Sequence, residues 1–166
     1  MPLEGNKFVV TGMYKVTCRG KTALELLTAG NYRSVGSGID NIVIPYHEPV
    51  DRMIYLGRFE DNVLPGHVHS FLKSNGNGPV RPTPEEALEF GCQYAQVIVD
   101  LETQYLADRS KSSFLFFPNE LTIKVLGRGK YNQIVMSSVG GMLAIHLDHV
   151  TPLKKEITFA FAGDVT

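Results

Sequence analysis

Thr83-Pro84-Glu85-Glu86-Ala87-Leu88-Glu89-Phe90 is the stretch on which the reading of this chain turns. Thr83 suits an N-cap, Pro84 the first helical position, where a missing N–H costs nothing, and Glu86 the returning carboxylate of a capping box. Downstream, Ala87, Leu88, Phe90, Tyr94, Val97, Ile98, Leu101 and Tyr105 recur at steps of three and four. That spacing predicts one long helix over about 83–107, buried along one face.

On either side of this helix the pattern changes to short apolar runs broken by turn residues. Phe8-Val9-Val10 and Met13 to Cys18 read as one bulged strand or as a hairpin about Gly12. Residues 21–29 favour a short helix stopped by Gly30 in the usual position after a C-cap. Two strands are expected at Asn31 to Gly38 and Ile39 to Pro45, and another at Met53 to Phe59. Beyond the long helix, Phe114 to Pro118 has the continuous apolar character of a buried central strand, with Leu121 to Leu126 as its partner across an Asn119-Glu120 turn. Tyr131 to Ser137 and Met142 to His146 form a hairpin across Val139-Gly140-Gly141, and Ile157 to Ala162 closes the set. The sum is an α+β chain: a mixed, mostly antiparallel sheet with one long and one short helix.

At 166 residues the chain has the length of a single domain with a core of its own. A formal charge of −1 leaves no electrostatic footprint for nucleic acid or an anionic membrane. With 43% hydrophobic and 20% charged residues, extensive disorder is not expected. Cys18 and Cys92 lie in apolar contexts without CxxC spacing and read as reduced thiols. Neither a secretory signal nor a bilayer-spanning run is visible, so a cytoplasmic protein is expected.

The chemistry-bearing residues precede the long helix. In Pro65-Gly66-His67-Val68-His69-Ser70, side chains two apart on an extended chain share one side, so His67 and His69 could ligate one metal ion. Glu86 is a candidate third ligand, because a strand end, a loop and a helix start can converge on one point. Equally, capping accounts for Glu86 without any metal, and paired histidines occur on ordinary strands.

His67-x-His69 followed by Thr83-x-x-Glu86 resembles the JAMM (JAB/MPN) zinc metalloprotease motif, an HxH followed by Ser-x-x-Asp. The resemblance implies zinc held by His67, His69 and Glu86, a bound water, Thr83 assisting the oxyanion, and an upstream general base, Glu25 or else Glu48. It further implies hydrolysis of a peptide or isopeptide bond in a protein or peptide substrate. Thr for Ser, Glu for Asp, Ser70 in place of the usual proline, and the 16 residues separating His69 from Glu86 depart from the family pattern.

Two other readings stand beside it. His149-Val150-Thr151 resembles one half of the two-histidine phosphoesterase signature, and the neighbouring His146 and Asp148 share one face of a strand. Alternatively, the chain is a non-enzymatic, β-rich binding or assembly module. It would form a homo-oligomer through exposed strand edges or the aromatic run near Phe116, with its histidines incidental.

Overall fold

The computed structural model describes residues 7–30, 32–36, 38–63, 68, 71–72, 79–118, 123–125, 128–131, 133–148 and 154–165, with 123–125 and 128–131 described in backbone only. In chain order the elements are β1 (Phe8–Cys18), α1 (Ala23–Ala29), β2 (Ser34–Val35), a 3-10 turn (Ile39–Asn41), β3 (Val50–Phe59), α2 (Pro84–Gln93), α3 (Ala95–Ala107), β4 (Leu115–Phe117), β5 (Ile123–Val125), β6 (Arg128–Tyr131), β7 (Gln133–Val139), β8 (Met142–Asp148) and β9 (Thr158–Asp164). Seven strands form one sheet in the order β1-β3-β9-β4-β7-β8-β2, while β5 and β6 pair separately. Only the β4–β9 and β2–β8 contacts are parallel, so the fold is α+β on a mixed, mostly antiparallel sheet.

Strand alternation divides the core in two. Leu115, Phe117, Ile134, Met136, Ala160 and Ala162 face α1, α2 and α3, meeting Leu26, Leu88, Phe90 and Ile98. Their chain neighbours Phe116, Val135, Phe159 and Phe161 point the opposite way and join Phe59, Val63 and Val68. On that far face Phe8, Phe59, Phe71 and Phe161 interlock at ring separations of 5.0 to 6.3 Å, within the range of favourable aromatic pairs.

The long helix expected over 83–107 is two helices. Tyr94, at φ −131° and ψ 40°, breaks it. Its ring packs on Phe90 and Tyr14, and its hydroxyl donates to the Lys15 carbonyl at 2.5 Å, so contacts with β1 override the continuous helical periodicity. Gly30 is right-handed rather than left-handed, and its missing side chain leaves room for the Tyr32 ring. The two strands expected between 31 and 45 reduce to Ser34–Val35 and the 3-10 turn, because Ile39 and Ile42 are used as single buried anchors. β4 pairs with β7 and β9, while Ile123–Val125, the described part of its expected partner, pairs with Arg128–Tyr131. The hairpin at Gly140-Gly141 is present, both glycines at positive φ (60° and 80°), as a tight two-residue connection requires. No helix among the described residues is long and apolar enough to cross a membrane.

Candidate functional site

The start of α2 is a buried, charged seam. Thr83 and Glu86 form the expected capping box: the Thr83 hydroxyl accepts from Glu86 N at 3.1 Å, and Glu86 Oε1 accepts from Thr83 N at 2.7 Å. The other Glu86 oxygen accepts from Arg52 Nε at 2.6 Å, and Arg52 also pairs with Asp164. Glu85 accepts from Gly20 N at 2.8 Å and meets His47 Nε2 at 2.6 Å. Glu89, fully buried, accepts from Arg19 Nη2 at 2.7 Å, from the Arg19 backbone N–H at 2.9 Å and from Gln93 Nε2 at 3.0 Å. Glu86 and Glu89 thus each have an arginine partner, and Glu85 has the His47 ring and the Gly20 N–H, which is how buried carboxylates become tolerable.

Cys18 lies beside this seam. Burial first, then the charges of Glu85, Glu86 and Glu89, pushes its thiol up to about 12, and burial pushes Cys92 up to about 11. Thiols so shifted stay protonated and unreactive at neutral pH.

The residues expected to carry chemistry are distributed as follows. His67 and His69 lie outside the described residues, as do His149 and Thr151. Val68, between the two histidines, is helical, as are Phe71 and Leu72, rather than extended as the His-x-His reading expects, and it is buried in the aromatic cluster on the far face of the sheet. Glu86 belongs to the helix side, since its partner Arg52 alternates in register with Ile54 and Leu56 of the helix-side core. The metal geometry expected of Glu86 therefore has both carboxylate oxygens already engaged, one with Arg52 and one with Thr83. Thr83 is exposed beside a shallow groove of about 330 Å³ lined by Val80, Arg81, Pro82 and Pro84. Glu25 is exposed and completes a second capping box with Thr22, whose backbone N–H holds its carboxyl below the usual range. Glu48 is exposed, its carboxylate 3.4 Å from the Tyr46 hydroxyl. Among the described residues no group of three His, Cys, Asp or Glu side chains is arranged to hold a metal.

His146 and Asp148 do share a face of β8. They pair with Val135 and Gln133, which places them on the far side of the sheet with Val68. The Phe114 ring stands 6.4 Å from the His146 ring.

A different feature marks the outer edge of β1, which pairs only with β3 among the described residues. Along its C-terminal half the outward backbone groups are taken by helix side chains. Tyr94 donates to Lys15 O, and Gln93 bonds both Thr17 N (3.0 Å) and Thr17 O (2.8 Å), as a neighbouring strand would. Glu89 accepts from Arg19 N. The N-terminal half, Phe8 to Met13, has no charged residue and exposes Val9 (52%), Val10 (48%) and Met13 (57%). Sequence reading names strand edges in general but misses this division. Gln93 and Glu89 have no local signature of edge capping.

The architecture is thus a seven-stranded α+β sheet with helices on one face and an aromatic cluster on the other. Compared with protein-family models, with curated proteins and with solved structures, the chain matches none.

Proposed function

We propose that the chain is a non-enzymatic assembly module that self-associates through the N-terminal half of β1. The observation that carries this reading is the contrast along one edge. From Lys15 to Arg19 the outer backbone groups are closed by α2 and its end, while Phe8 to Met13 is uncharged and displays three apolar side chains. Soluble proteins commonly protect such edges with charge, shortness or a covering element. The β2 end of the sheet, two residues long, has the protection of shortness. An uncharged segment can also meet its own copy antiparallel across a two-fold axis without apposing like charges. The aromatic run near Phe116 serves as core: Leu115, Phe116 and Phe117 are buried in the middle of the sheet.

Amide hydrogen exchange at several protein concentrations tests the reading. Protection over residues 8–13 rises with concentration, while protection at Lys15 to Arg19 does not change. A concentration-independent pattern along the whole strand rejects it.

A zinc-dependent hydrolase is the second reading, supported by the His67-x-His69 sequence. Because Val68 packs on the face that carries His146 and Asp148, this reading takes Asp148 as a carboxylate ligand in preference to Glu86. Metal analysis decides it. One zinc per chain, lost in His69→Ala and Asp148→Asn but kept in Glu86→Gln, together with peptidase activity, supports it; a metal-free folded chain after zinc loading rejects it.

A further inference from the structure

We propose that His47 is a protonation-dependent latch that holds the 42–49 connection against the start of α2 and the end of β1. This goes beyond the assembly reading and does not depend on it. His47 Nε2 is 2.6 Å from Glu85 Oε1, and Nδ1 is 2.6 Å from the Glu48 carbonyl oxygen. The Glu48 carbonyl accepts, and Glu85 accepts while it is ionised, so both ring nitrogens then donate, and only the imidazolium does so. Removing one proton leaves a lone pair aimed at an oxygen whichever tautomer forms.

The surroundings make the latch consequential. Glu85 is buried and also accepts from Gly20 N, so the loop, the end of β1 and the first turn of α2 meet at one carboxylate. Gly20 has φ 69°, and a side chain there would collide with the His47 carbonyl, so the loop backbone lies directly on it. Apolar anchoring holds the start of the connection, through buried Ile42 and half-buried Ile44, whereas Val43, Tyr46 and Glu48 are exposed. Toward Val50 the side-chain tie is His47.

The charged groups facing the imidazole are Glu85 and Glu89 from α2, with Arg19, at the end of β1, neutralising Glu89. The carbonyl of Glu48, then the carboxylate of Glu85, raises the His47 pKa above its ordinary value. The sign follows: a raised folded pKa gives a tie fully present below the ordinary histidine value and lost as pH rises through the folded one.

The test combines a proton–carbon NMR titration of the His47 ring with backbone amide relaxation of the non-proline residues of 43–48 in the wild type, His47→Gln and Glu85→Gln. The latch predicts a wild-type midpoint above the ordinary value, loss of loop order at the same midpoint, and a midpoint lowered by about one unit or more in Glu85→Gln. In His47→Gln, loop order is low and independent of pH. A wild-type midpoint at or below the ordinary value, or loop order that ignores the titration, overturns the proposal. Both of these readouts come from the wild type, so the decision stands even where a variant does not fold.

Discussion

Replacing Arg19 by Met is predicted to cost more stability than replacing Glu89 by Leu, although both changes break the same ion pair. The Glu89 side chain is 0% exposed and the Arg19 side chain 35% exposed. Without the Arg19 guanidinium, Glu89 keeps as described donors the backbone N–H of residue 19 and the Gln93 amide, inside a buried seam that also contains Glu85 and Glu86. Orphaning a buried charge typically costs about 3–5 kcal/mol. Without Glu89, the guanidinium can swing its head into water, while one backbone N–H loses its acceptor, a loss of roughly 1–3 kcal/mol. The expected difference between the variants is therefore about 2 kcal/mol. At a urea slope of about 2 kcal/mol/M it separates their unfolding midpoints by roughly 1 M. Equilibrium urea denaturation followed by circular dichroism measures it, with the slope checked for constancy. Equal midpoints, or a greater loss in Glu89→Leu, refute the claim that Glu89 is the desolvated partner.

Glu102 accepts from Gly141 N, Gly140 N and Ser138 Oγ, and these bonds, the Gly141 N–H first, depress its pKa. Its contribution is present above the ordinary carboxylate pKa and lost as pH falls through the folded value, so Glu102→Gln should flatten the acid side of the stability profile in thermal melts. Gly141→Val should destabilise by about 1–2 kcal/mol, because φ of 80° is left-handed, with chemical denaturation as the measurement. Phe161→Ala, which empties the middle of the far-face cluster, should cost about 3–5 kcal/mol in the same assay.

What could be read from the sequence was local. The Thr83–Glu86 capping box and the diglycine hairpin each depend on neighbours within a few positions, and each is present; of the two readings at Gly12, bulged strand or hairpin, the bulged strand is the one that forms. The break at Tyr94 was not legible, since a tyrosine at a periodic apolar position gives no helix-stop signal; its partners Tyr14 and Lys15 are about 80 residues away. The isoleucines at 39 and 42 mimic strand positions while anchoring a turn and a loop. The seam on α2 was hidden for the same reason. Arg19, His47 and Arg52 reach Glu89, Glu85 and Glu86 across 70, 38 and 34 positions. The sequence singled out Glu86 for its cap; its pairing with Arg52 emerges only when β3 and α2 are brought together.

The account stands on the half of β1 whose outer edge no described element covers. Sedimentation equilibrium of the wild type beside Val10→Lys, over a range of concentrations, examines it most directly. A Lys at an exposed position of a sheet edge is well tolerated by a monomer, so at dilutions where both are monomeric the variant should melt at the wild-type temperature. The account predicts a wild type that moves toward twice the chain mass as concentration rises, and a Val10→Lys variant that stays at the chain mass. A wild type that remains at the chain mass throughout, or a variant that associates equally well, contradicts it.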